Sequence, residues 1–272
     1  MPHASLYQDS CRNPLSTARR HSSEALGAIK TGTNALKMKT DIQILFDEIK
    51  RYDAYPTSML RICGEISRIA FFPGGKGTYD LTETISDKKI MILGQDFDCE
   101  KNFNIALKQG SEDINRNPTW RNIRKILHEC GISENDCFFT NAILGARKGD
   151  KGTGRSPAFT DPSFIDYCRQ FFLLQISLQK PTLILILGKY TAQFLYPLNS
   201  ALEPLKSMKN FEELDNNHLQ VIKNIGFLDK ILTNIVILIH PSLRHLNIGR
   251  RKYLGYSGHL AEIEMIKEGL KL

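Results

Sequence analysis

Four apolar runs of strand length punctuate the chain, and each stops at a polar tip. Ile90-Met91-Ile92-Leu93 ends in Gly94-Gln95-Asp96, Cys137-Phe138-Phe139 in Thr140-Asn141, Leu183–Leu187 in Gly188-Lys189, and the run 235–239 in His240-Pro241-Ser242. Short continuous apolar runs between polar residues suit strands buried on both faces, as in a parallel sheet. Between them the period changes to that of helices. Ile42, Leu45, Phe46 and Ile49 predict a helix from Asp41 that ends before Tyr55-Pro56, and a second helical stretch spans 58–69. Pro118 opens an amphipathic helix with Ile123, Ile126 and Leu127 inside and Arg121, Arg124 and Lys125 outside. Further helices are expected over Pro162–Gln179, from Thr191, and over Gly258–Leu270. Segment 100–117 reads as polar, and 199–229 as a polar, helical connection. Strands alternating with helices predict an α/β fold, a three-layer sandwich around a short four-stranded parallel sheet.

The first 39 residues break this pattern. They are rich in Ser, Thr, Ala and Arg, carry only Asp9 and Glu24 as acids, and lack a sustained apolar period, so a flexible basic leader is expected there and the folded domain over 40–272. Two accounts of the leader stand: an organelle transit peptide, or an incidental tail ahead of a start at Met38.

Composition narrows the function classes. A hydrophobic content of 42% and a charged content of 24% are those of a globular chain. The formal net charge of +7 and pI near 9.0 suit a polyanionic partner. Six scattered cysteines without a Cys-x-x-Cys pair argue against a structural zinc or an iron–sulfur cluster, and no apolar run approaches the roughly 20 residues of a membrane span. Phe71-Phe72-Pro73-Gly74-Gly75-Lys76-Gly77 lacks phosphate-loop spacing and reads as a turn. The stretch 145–155, with Arg147, Lys148, Lys151 and Arg155 among glycines, suits close backbone approach to a polyanion.

In open α/β sheets, ligands bind beyond the carboxyl ends of the strands. Asp96, Asn141, Gly188-Lys189 and His240 would therefore converge on one edge, a carboxylate, an amide and an imidazole among basic loops. Taken singly, Asp96 also suits a helix cap, Asn141 a turn and His240 a core position. Together, these motifs resemble the uracil-DNA glycosylase superfamily. Gly94-Gln95-Asp96 resembles the start of the family's first motif, Gly-Gln-Asp-Pro-Tyr-His, and His240-Pro241-Ser242 its last, His-Pro-Ser-Pro. Phe139-Thr140-Asn141-Ala142 is similar to the strand end whose asparagine reads the base. Asn117-Pro118-Thr119-Trp120 lies where the family has a proline-rich DNA loop, and Gly188-Lys189 where it has a Gly-Ser loop. The resemblance spans roughly 88–251.

It implies a monofunctional glycosylase that hydrolyses the bond between deoxyribose and a flipped-out uracil or related pyrimidine in DNA, without metal or cofactor. Asp96 and His240 would be catalytic, with Gln95, Asp98, Phe103 and Asn141 around the base. Pro118, Thr119, Arg147, Lys148, Lys151, Arg155, Gly188, Lys189, Ser242, Leu243 and Arg244 would contact DNA, and either Leu243 or Arg244 would fill the gap left by the base. A monomer is expected, with no obligate protein partner and no membrane, cytoplasmic in a bacterium and nuclear or organellar in a eukaryote. The chain departs from the family where Phe97-Asp98-Cys99 replaces Pro-Tyr-His. Asp98 stands where the family's tyrosine blocks 5-substituted bases, and Phe103 is the nearest stand-in for its stacking phenylalanine. Two rivals therefore stand beside uracil repair: excision of a bulky modified pyrimidine, for instance in anti-phage defence, and non-catalytic DNA binding.

Overall fold

A computed structural model describes residues 39–62, 81–109 and 117–271. The leader apart from Lys39, the turn at 71–77 and most of the stretch 58–69 lie outside them. In chain order the elements are α1 (Asp41–Arg51), β1 (Met59–Arg61), β2 (Ile90–Gly94), α2 (Glu100–Gln109), α3 (Pro118–Glu129), β3 (Cys137–Asn141), β4 (Gly145–Arg147), α4 (Pro162–Gln179), β5 (Leu183–Leu187) and α5 (Lys189–Leu195). They continue as α6 (Phe211–Asn216), β6 (Val221–Leu228), β7 (Ile231–Leu238), α7 (Arg244–Asn247), β8 (Lys252–Tyr253), β9 (Tyr256–Ser257) and α8 (Gly258–Leu270), with short 3₁₀ turns between some of them.

The main sheet has the order β3-β2-β5-β7-β6. Its first four strands are parallel, and their alternate residues feed two cores. Met91, Leu93, Phe138, Ile184, Ile186, Ile235 and Ile237 face one core, with the apolar sides of α1, α4 and α5. Ile90, Ile92, Phe139, Leu185, Val236 and Leu238 face the other, with Trp120, Ile123, Ile126 and Leu127 of α3 and Ile263, Met265 and Ile266 of α8. The result is helix, sheet, helix: three layers.

Helix starts follow local chemistry. The side chain of Asn117 accepts from the Thr119 and Trp120 amides, and Pro118 occupies the first turn, where its missing N–H costs no bond. Asp161 caps α4 in the same way through the Phe164 amide, again with proline next. Helix α1 starts on Thr40, whose hydroxyl accepts from Gln43.

Three expectations need correction. The sheet is five-stranded and mixed, because β6, which falls inside the segment read as helical, pairs antiparallel with β7. Lys223, Asn224 and Gly226 interrupt that strand, and its register shifts on either side of Ile225-Gly226, so it has no clean period. The described part of 58–69 carries β1, which pairs with β4, rather than a helix. Segment 100–117 contains α2.

Candidate active site

Chain order reverses at β2, since β3 lies on one side of it and β5 on the other. The crevice of such a sheet opens there, at the carboxyl ends. Parallel register sets Gly94 beside Asn141, and the Gly188 amide donates to the Leu238 carbonyl (2.9 Å). The tips run across the sheet as Asn141, Gln95-Asp96, Gly188 and His240.

Gly188 has φ 98° and ψ 161°, a region open essentially to glycine alone. A Cβ there would lie 3.3 Å from the Cβ of His240. The glycine thus turns the chain from β5 into α5 and leaves the space that the imidazole backs onto.

His240 Nδ1 lies 2.8 Å from Ser242 Oγ. Burial pushes its imidazole down to about 4, against an opposing pull from Asp98, with Arg147 pushing the same way as burial. The ring is neutral at pH 7. With the Ser242 hydroxyl donating to Nδ1, Nε2 keeps the proton and can donate. The backbone just before it is anchored by Glu262, a fully buried acid on α8 that accepts from the Ile239 amide (2.8 Å). Glu262 also pairs with Arg244 and with Arg251, which in turn pairs with Asp215 (3.0 Å). Sequence reasoning missed Glu262. Its signal is an acid among Ala261, Ile263, Met265 and Ile266, where an apolar face leaves no solvent for a charge.

The Asp96 carboxylate is buried. Arg147 grips it with Nε on Oδ2 (2.6 Å) and Nη2 on Oδ1 (3.3 Å), and the same guanidinium donates to the carbonyls of Thr153 (2.8 Å) and Gly154 (3.1 Å). The Ser156 hydroxyl and the Asp98 amide also donate to Asp96. Burial nonetheless leaves its carboxyl above the ordinary value, with Arg147 the strongest opposing influence. Arg147 was expected on DNA phosphate. Only 5% of its side chain is exposed, and it is a buried partner of Asp96 instead.

Gln95 holds the same loop. Its Nε2 donates to Gly154 (3.0 Å) and its Oε1 accepts from Ser156 (3.2 Å), so the side-chain amide braces the loop. Asp98 adopts φ 66° and folds its carboxylate back on the start of α2, accepting from the Cys99 amide (2.7 Å) and Asn102 Nδ2 (2.9 Å). Gly152 packs so close to it that a Cβ would overlap Asp98 Oδ1. Asn141 is buried at the end of β3. Phe103, expected to stack on a base, packs edge to face on the fully buried Phe97 within the core. Position alone suggested it, and the apolar face of α2 claims it.

Around the tips, Lys148, Lys151, Arg155 and Pro118 are exposed, and Thr119 and Ser242 are half-buried. Lys189 donates to the Lys209 carbonyl (2.8 Å) and lies over the Tyr190 ring. Arg244 is turned inward to Glu262 and His259, whereas Leu243 is 38% exposed and Leu246 64%. A groove of about 460 Å³ opens beside this loop, lined among others by Pro118, Arg121, Ser242, Arg244, His245 and His259. Among the described residues, no three His, Cys, Asp or Glu side chains gather as a metal site requires, and no helix is long and apolar enough to cross a membrane.

The sequence model of the Uracil DNA glycosylase superfamily matches residues 83–254, more than half of the chain and all four strand tips. The chain belongs to this superfamily. No curated protein matches it. The match takes in Asp96, Asn141, Gly188 and His240, and equally Arg147 and the loop it holds.

Proposed function

We propose that this superfamily member is a monofunctional DNA glycosylase that hydrolyses the N-glycosidic bond of a flipped-out uracil or related pyrimidine. The observation that carries the reading is the meeting of a buried carboxylate, an amide and a neutral imidazole, Asp96, Asn141 and His240, at the carboxyl ends of the parallel strands of one mixed sheet. Water adds to C1′ of the sugar as the C1′–N1 bond breaks, and the electron pair leaves with the base. Positive charge builds on the sugar and negative charge on the base. Asp96 faces the first, and the Nε2–H of His240 donates to the second at the base's O2, where a fixed donor acts mostly in the transition state. The Asn141 amide suits the carbonyl and N3–H edge that separates uracil from cytosine.

DNA is the partner, through the exposed Lys148, Lys151 and Arg155 and the groove beside Pro118 and Ser242. Leu243, with Leu246 one turn on, fills the gap left by the flipped base. Excision of a 5-substituted pyrimidine is favoured by one observation. Asp98, where the family's tyrosine stands, folds away onto α2 instead of presenting a ring.

Oligonucleotides containing uracil, mismatched thymine, 5-hydroxymethyluracil or modified cytosines, treated with the protein and then with alkali, test the reading. Release of uracil or a relative, abolished by Asp96→Asn with DNA affinity kept, is expected. Tight DNA binding with no release from any substrate leaves a binding protein and overturns the enzyme.

A further inference from the structure

The contacts around Asp96 carry an inference that rests on the glycosylase reading and goes beyond it. We propose that Arg147 is a positioning residue of the reaction, whose guanidinium holds the Asp96 carboxylate and the loop 153–156 in one fixed arrangement at the tip of β2.

The geometry is that of a built clamp. Arg147 makes a two-point contact with Asp96, through Nε (2.6 Å) and Nη2 (3.3 Å). The planar fork of arginine matches a carboxylate in this way, and a lysine ammonium does not. Nη1 and Nη2 then reach the Thr153 and Gly154 carbonyls, so one side chain ties carboxylate and loop together. The backbone of Arg147 is itself fixed. Its amide donates to the Asp98 carbonyl (2.8 Å), the Phe97 amide donates to Gly145 (3.1 Å), and β4 pairs with β1 on its other side. A residue serving DNA phosphates would need a mobile, exposed head, and this one is held at both ends.

A buried carboxylate needs such a partner. Removed from water, the charged form is disfavoured, and an opposite charge a few ångströms away offsets part of that cost. Arg147 is the cation that faces Asp96 from β4, and the Ser156 hydroxyl and Asp98 amide add neutral donors. Asp98 follows two residues on and His240 stands at the tip of β7, and the charges of Asp98 and Arg147 both act on His240. His240 is neutral over the working pH range and adds no positive charge, which leaves Arg147 as the strongest influence that opposes burial in holding Asp96 ionised.

The test uses the full chain, with Arg147→Met and Arg147→Lys. Single-turnover base release is followed from pH 5 to 9, and the Asp96 carboxyl carbon is titrated by NMR in the same three proteins. In Arg147→Met the acid limb of the rate profile and the Asp96 midpoint both move to higher pH, by about 1–3 units, the range for losing a close opposite charge. In Arg147→Lys the limb stays near the wild type while the plateau falls by about 10²-fold, the cost of a misplaced reacting group. A purely structural role moves melting temperature and leaves the limb where it was. Coincident limbs and midpoints in wild type and Arg147→Met overturn the proposal, as does a wild-type plateau in Arg147→Lys, which also decides the matter if Arg147→Met does not fold. Absence of base release from wild type on every substrate sinks the glycosylase reading instead, and the carboxyl titration then still reads whether Arg147 governs Asp96.

Discussion

His240 is the residue at which burial and proton affinity meet. The unfolded chain binds a proton there near the ordinary 6.5, whereas the folded site holds off until about 4. Between those values the unfolded state carries more protons, so His240 withdraws stability as pH falls from 6.5 to 4 and contributes nothing further below that. The contribution is at most roughly 3 kcal/mol at 1.36 kcal/mol per unit. His240→Gln should remove it: the difference in unfolding free energy between pH 7 and pH 4.5, measured by denaturant, shrinks in the variant. An unchanged difference would mean that the imidazole is not held neutral by the fold. His240→Ala should lower single-turnover excision by about 10²–10³-fold, the usual cost of losing one such donor. Gly188→Ala acts on the same ring from behind. A Cβ at φ 98° is strained, by about 1–3 kcal/mol, and presses on His240 from 3.3 Å. Thermal unfolding and excision should fall together in this variant. Loss of stability with excision intact would show that His240 has room to give.

At the scale of elements, the loop from His240 into α7 is fastened through Arg244, which binds Glu262 on α8 and His259 at its start. Fastening leaves the apolar side chains Leu243 and Leu246 outward, three residues apart and so on one side of the turn. An apolar wedge in the gap compensates the unstacking that base flipping requires, which costs a few kcal/mol. Leu243→Ala should slow excision from duplex DNA while leaving excision from single strands, where no stack is broken, nearly unchanged. Equal losses on both substrates would place the leucine elsewhere in the mechanism. Arg244→Ala is expected to behave differently. It leaves Glu262 buried with one partner fewer, so stability falls whether or not DNA is present.

At the scale of the whole molecule, the described basic residues around the site include two contrasting groups. Arg147, Arg244 and Arg251 are largely buried and paired with acids, while Lys148, Lys151 and Arg155 stand in solvent on the loop above the site. Of these two groups, the second is the one with exposed heads, and it is the one proposed to meet phosphate. Log affinity for duplex DNA should fall linearly with log salt, by roughly 0.9 for each phosphate contacted, and replacing Lys148, Lys151 and Arg155 by alanine should flatten the slope by up to about three contacts' worth. A slope unchanged by the triple variant would remove this loop from the DNA surface.

Much of the frame was legible without coordinates. The apolar runs ending in Gly94, Asn141, Leu187 and Leu238 announce buried strands because a strand covered on both faces has no polar side to show. The proline-led starts of α3 and α4 follow from the freedom of the first turn to lose an N–H. Strand β6 was hidden, since an edge strand with register shifts keeps no period of its own and is defined by its pairing with β7. The same division runs through the site. Asp96, Asn141 and His240 could be read as candidates because they end apolar runs. Arg147 beside them could not, since a basic residue in a glycine-rich loop looks the same whether a phosphate or a carboxylate waits for it. That choice belongs to the tertiary structure, which carries β4 alongside Phe97–Asp98 and so brings the guanidinium to a buried charge that needs it.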